Sequence, residues 1–327
     1  MTSRGAKHHD TKRPERNQGA AGQAGRINHS IALAAIARSW LPGAAFVLIV
    51  AGTLQVRPWS DGMGSFAGDI ALTLALTFGA LLVLLARPGV GWTVLAGVLY
   101  LLALFSYEYM LLFAPALALV VFVRRRDWRP VLAVAIPAAI AVLIDISMRV
   151  FGNPHPVQEY ALSWRPHLVL ETFAKQLLAA LPLSQWWLGH AVAMPPIAGT
   201  LIVASAVIVG LPVLVGMYNL AGTLGSIAER TLSLCALLGA WIWITTSILV
   251  ALTERWQTGI PWGQGYVPVV FEYVGLALCL LALWGLLDRR LRSRLTPGRL
   301  RAWTVGSAAL VAALATMTMA GNLSVMP

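Results

Sequence analysis

Five carboxylates lie in or beside apolar segments of this chain: Asp61, Asp69, Glu108, Asp145 and Glu272. Glu108 is the most telling. It sits in LAGVLYLLALFSYEYMLLFAPALALVVFV, residues 95–123, where a carboxylate facing lipid at a helix centre costs roughly 2.5–3.5 kcal/mol. Such a residue persists where it faces protein, water or a ligand. A carboxylate there can act as general base toward a hydroxyl. Arg149, Arg165, Lys175 and Arg255 are nearby cations, and arginine suits two-pronged contact with phosphate. Tyr107, Tyr109, Tyr160 and Trp164 offer faces on which a ring can stack, and His155 adds a polar side chain.

Each of these residues also has a purely structural reading. Asp69 reads as a cap or first-turn acid stabilised by the dipole of its helix. Asp61, in Trp59-Ser60-Asp61-Gly62, fits a turn. Asp145 and Arg149 are four apart and can pair across one helical turn. Glu272 follows Val269-Val270-Phe271 and fits a membrane interface, and Glu108 fits a cap on the helix after Ser106. Tyrosine and tryptophan gather at membrane surfaces without any catalytic reason. The histidines lack a metal-binding spacing, so no metal is expected.

The elements that must position these groups follow from composition. The chain has 327 residues, 58% hydrophobic and 11% charged, against about 25% charged in a soluble domain. Its mean hydropathy is +0.73. This predicts an all-α, polytopic membrane bundle. Apolar stretches able to span are 33–55, 66–86, 92–106, 107–123, 130–150, 195–217, 231–253, 267–287 and 302–320, most near the ~20 residues a crossing needs.

The net charge of +11 does not point to nucleic acid. The basic residues fall in three blocks, Arg4–Arg26, Arg124–Arg129 and Arg289–Arg301, and the latter two flank apolar runs. If 92–123 is a hairpin with its tip near Ser106, every block lies on the cytoplasmic side, as the positive-inside rule requires. That arrangement has about nine spans, the N-terminus inside and the C-terminus outside. Residues 1–29 read as a disordered basic tail and 30–327 as the transmembrane domain. Cys235 and Cys279 read as small buried hydrophobes.

The extracytoplasmic segment 151–194 contains HLVLETFAKQLLAALPL, residues 167–183. Apolar positions 168, 169, 170, 173, 177, 178, 180 and 181 leave Glu171 and Lys175 together, which predicts an amphipathic helix lying on the outer leaflet. In this topology all five carboxylates named above face one polar side, roofed by that segment.

Ser106-Tyr107-Glu108 at a hairpin tip, followed by an apolar run and the Arg124–Arg129 cluster, resembles multispanning GT-C-type glycosyltransferases. The resemblance extends over roughly 30–290, including Arg149-Val150-Phe151-Gly152 and the outer segment with Tyr160 and Ala180-Leu181-Pro182. It implies transfer of a sugar from a polyprenyl-phosphate donor to an envelope glycan or lipid acceptor. It places the protein in a bacterial plasma membrane, with membrane lipids as partners and no cofactor. It implies Asp61, the sole acid of the first outer loop, and Glu108 as catalytic residues. Asp69, Tyr107, Arg149, His155, Tyr160, Arg165, Arg255 and Glu272 would then bind substrate. One departure stands out. Arg57–Ser65 is a short turn where the family usually has a longer loop, which reads the chain as divergent or truncated. The alternatives are a transporter or flippase-like protein, or a non-catalytic membrane subunit.

Overall fold

The computed structural model describes residues 50, 54–55, 62–148, 151, 162–188, 199–224 and 227–325. Among them there are helices and no strand, with one isolated bridge between Leu162 and Thr253. In chain order the helices are α1 (Gly62–Ala86), α2 (Val90–Ser106), α3 (Ala114–Arg125), α4 (Leu132–Ser147), α5 (Pro166–Ala179) and the single turn α6 (Ser184–Trp187). Then come α7 (Gly199–Ser205), α8 (Leu211–Leu224), α9 (Glu229–Leu252), α10 (Glu254–Gly259), α11 (Val269–Arg292) and α12 (Pro297–Val325). A π turn, Ala206–Gly210, joins α7 to α8.

Six segments are long and apolar enough to cross a membrane: Gly68–Ala86, Arg129–Ser147, Gly199–Asn219, Glu229–Leu252, Val269–Arg292 and Pro297–Leu323. The chain is a multi-pass, all-α membrane protein. These six cover the expected spans from 66–86 and from 130–150 onward. The expected span 33–55 lies almost wholly outside the described residues. The other two expected spans are shorter pieces. Val90–Ser106 is a 17-residue helix, and 107–123 is divided. Tyr107 is extended, with φ −156° and ψ 114°. A 3-10 segment, Glu108–Phe113, follows, and Pro115 in the first turn of α3 restarts the α-helix. Proline is tolerated there because the first N–H groups of a helix have no intrahelical acceptor. α3 ends on Arg126, whose left-handed φ of 55° turns the chain and lets its N–H bond Phe122 O.

α1 packs on α2 and α2 on α4, while α3 touches α1, α4 and α9. α9 and α11 form the tightest pair. A Cβ on Gly239 would lie 2.6 Å from both Gly275 O and Cys279 N, and one on Gly275 would lie 2.6 Å from Trp243 N. In lipid there is little hydrophobic gain from helix association, so this small-residue contact provides dispersion and weak polar contact at close range. Around it lies a core of Tyr100, Met110, Phe113, Ile242 and Phe271. The Tyr100 hydroxyl donates to Met110 O at 2.7 Å, which fastens the 3-10 segment to α2. α7, the π turn and α8 pack along α12, with Val213, Met217, Ala308 and Ala315 buried between them.

α5 corrects one expectation. The helix forms as its periodicity predicts, and Lys175 Nζ meets Glu171 Oε1 at 2.8 Å. It does not simply rest on a leaflet. It packs against α9, α10 and α11, and its buried stripe is Thr172, Gln176 and Ala179, running on to Ala180, while the other expected apolar positions are half-buried or exposed. The Trp243 indole N–H donates to Leu177 O at 3.0 Å, and Gln176 makes both amide bonds to the backbone of Tyr266. Backbone partners that only a polar side chain can satisfy decided which face turned inward. Cys235 and Cys279 are free thiols, only half-buried, in α9 and α11.

Candidate functional site

The end of the bundle opposite the Arg124–Arg126 cluster gathers the 3-10 segment, α5, α6, the 253–268 connection and the start of α11. The hairpin tip is its centre. Tyr107 and Tyr109 stack with centroids 5.2 Å apart, and Tyr107 also meets Phe271 at 5.3 Å. Phe271 in turn takes the edge of Phe113 at 5.9 Å. This aromatic column ties the tip to the first turn of α11. Glu108 lies beside it and is exposed.

Glu272 follows Phe271 and is fully buried among protein side chains. Ser247 Oγ donates to its Oε1 at 3.0 Å. Ser247 and Glu272 thus bond α9 to α11, eight residues from Gly239 on α9 and three from Gly275 on α11.

The 253–268 connection builds the mouth. α10 is a short helix, and Gly263 (φ 78°) and Gly265 (φ 63°) take left-handed turns that fold the loop back. Trp256 and Tyr266 stack at 3.8 Å, at an interplanar angle of 28°. Arg255 lies 5.0 Å over the Trp256 ring. Arg165 at the start of α5 pairs with Glu254 at 3.0 Å, both side chains about half exposed, so this ion pair orients more than it stabilises. Trp256, Ile260, Pro261, Gln264 and Tyr266 line a cavity of about 10 Å³, room for about one water.

The structure brings Glu108, Tyr107, Glu272, Arg165 and Arg255 to this end of the bundle. Asp69 is exposed on α1, which begins at Gly62, so it is neither a cap nor a first-turn acid. Asp145 is exposed near the end of α4. Asp61, Arg149, His155 and Tyr160 lie outside the described residues. Glu108 is not a helix cap either, since no side chain caps the 3-10 segment and the Ser106 hydroxyl bonds back to Leu102 O. Among the described residues no group of three His, Cys, Asp or Glu side chains gathers to hold a metal ion.

The residues missed from sequence are the uncharged ones. Gln55, Gln176, Gln185, Gln257 and Gln264 are all buried, and all stand at this end. Gln55 donates to Leu181 O at 2.7 Å and Gln257 to Ser163 O at 2.7 Å. Ser184 Oγ lies 2.8 Å from Ala179 O and 3.1 Å from Gly263 O. Their one legible signal was position, because glutamine at the edges of apolar runs has no reason to be there unless it bonds protein or ligand. Among the described residues this end presents the exposed carboxylates Glu108, Glu171 and Glu254, the surface arginines Arg165 and Arg255, stacked aromatic faces and an interior rich in amides. No protein-family model, curated protein or solved structure matches the chain.

Proposed function

We propose that the protein is a GT-C-like membrane glycosyltransferase working at the aromatic, amide-rich end of its bundle. The observation that carries this reading is the pairing of exposed Glu108 with the Tyr107–Tyr109 stack on a hairpin tip braced by Phe271. Stacked aromatic faces suit the apolar side of a sugar, amides suit its hydroxyls, and a water-exposed carboxylate suits removal of a hydroxyl proton. In this reading Glu108 and Asp61 act on the acceptor hydroxyl. Arg165, Arg255 and Arg149 meet the phosphate of a polyprenyl-phosphate donor as its bond to the sugar breaks. Asp69, Tyr107, His155 and Tyr160 hold the substrate, and Glu272 holds the tip in place from behind through Ser247. The reading carries with it about nine spans, an inside N-terminus, an outward-facing site and a bacterial plasma membrane.

Transfer of labelled sugar from polyprenyl-phosphate donors, in membranes holding wild type, Glu108→Gln or Asp61→Asn, tests the proposal. Transfer by wild type that falls at least about a hundredfold in Glu108→Gln supports it, the range expected when a general base is removed. Equal transfer by all three removes the catalytic roles. No transfer by wild type with any donor favours the second reading, a transporter or flippase-like protein. One observation speaks for that reading. The π turn Ala206–Gly210 interrupts an apolar helix in mid-course, a feature frequent at functional sites.

A further inference from the structure

At the other end of the bundle, two arginines from different helices reach across one another. Arg124, in the last turn of α3, donates from Nη1 to Thr231 Oγ1 on α9 at 3.3 Å. Arg230, next to Thr231, donates from Nη2 to Val123 O, next to Arg124, at 3.3 Å. Each guanidinium is thereby tied by a neutral acceptor to the helix that carries the other. Both residues are exposed, and among the described residues neither is ion-paired to a carboxylate. Arg125 adds a third charge, anchored through Nε to Leu84 O of α1 at 2.8 Å. Acid is scarce here. Asp127 Oδ1 accepts from the Arg129 backbone N–H at 3.0 Å, and Glu229 is exposed beside Arg230.

Two forks held together repel unless an anion lies between them, and the anion that arginine forks fit best with oxygens to spare is phosphate. The surface running from the pair says which phosphate. On α9, exposed Leu237 (48%) and Trp241 (37%) lie seven and eleven residues on from Arg230, on the same helix face. Trp241 closes the far end by donating its indole N–H to Leu112 O of the 3-10 segment at 2.7 Å. A charged head at the end of an apolar track is the shape of a lipid.

The geometry points to a bound anionic phospholipid, its phosphate held by Arg124 and Arg230 and an acyl chain laid along Leu237–Trp241. The positive-inside pattern explains why arginines occur at this end. It does not explain why two of them are cross-tied to each other's helices with no acid between. A lipid here would fasten α3 to α9 and so support the hairpin whose tip lies at the opposite end.

The test is native mass spectrometry of the full chain purified in detergent, titrated with phosphatidylglycerol, phosphatidylcholine or inorganic phosphate. Wild type is expected to retain phosphatidylglycerol in preference to phosphatidylcholine. Arg124→Gln with Arg230→Gln is expected to bind phosphatidylglycerol about tenfold or more weakly, the loss expected from two charge-assisted contacts. Arg299→Gln with Arg301→Gln, at the start of α12, should bind as wild type does. Equal retention of the two lipids, or equal loss in both double variants, would overturn the site in favour of diffuse charge. Inorganic phosphate displacing the lipid better than chloride of the same ionic strength would overturn the lipid as its source. Should the glutamine pair fail to fold, Arg124→Lys with Arg230→Lys keeps the charge and loses the fork, and it should bind the lipid more weakly than wild type.

Discussion

Gly239 on α9 and Gly275 on α11 face each other with no room for a methyl group, since a Cβ on Gly239 would stand 2.6 Å from the carbonyl oxygen of Gly275. The obstacle is backbone on both sides, which cannot rotate away. Gly239→Val and Gly275→Val should therefore each destabilise the protein by about 2 kcal/mol or more. Gly68→Val, on a helix face with nothing near it, should change stability far less. Thermal unfolding in detergent checks the three side by side.

The Ser247 hydroxyl chooses between two acceptors, Glu272 Oε1 at 3.0 Å and Trp243 O at 3.2 Å. Ser247→Ala withdraws a donor from a fully buried carboxylate, and a loss of about 1 kcal/mol is expected. Glu272→Gln should keep the fold, because an amide oxygen accepts the same bond. If Glu272 only braces the tip, transfer by Glu272→Gln stays within a few fold of wild type in the sugar-transfer assay. A loss as large as that of Glu108→Gln would place it among the reacting groups.

The Trp256–Tyr266 stack fixes the 253–268 loop. Tyr266→Ala removes the ring partner and should cost about 1 kcal/mol beyond the area lost. Limited proteolysis of the loop should then speed up, and Tyr266→Leu should restore little of the protection. Unchanged cleavage would mean that the glycine turns alone hold the loop.

Thr172 turns its hydroxyl into a fully buried place where that oxygen has no hydrogen-bond partner among the described residues. Thr172→Val should be neutral or stabilising by up to about 1 kcal/mol, since an isosteric methyl carries no unmade bond. Gln176→Leu on the same stripe should do the reverse, because it breaks both bonds to Tyr266. Unfolding midpoints of the two variants should move in opposite directions.

Hydrophobic length made most of the spans legible, since an ~20-residue apolar run has few alternatives to a membrane helix. The boundary at Tyr107 was visible as a crowded 92–123 segment, and Pro115 marked where the α-helix resumes. The inward face of α5 was not legible. Its apolar residues outnumber its polar ones, and only the Tyr266 backbone, ninety positions away, made Gln176 the residue to bury. The same holds for Glu272, where the partner Ser247 lies 25 residues earlier on another helix. Charge scarcity pointed to Glu108, whereas the glutamines around it carried no charge to draw attention.

The 3-10 stretch at the hairpin tip also has a consequence for reach. Six residues wound at about 2.0 Å per residue cover more distance than the same six in an α-helix at about 1.5 Å. Joined to the 12 residues of α3, they give Glu108–Arg125 a length of about 30 Å, the thickness of a bilayer's hydrocarbon core. The segment gains reach because it is overwound. Its one acid stands at the first residue and its arginines at the last, so the two charged ends stand farther apart than an α-helix of the same 18 residues would place them.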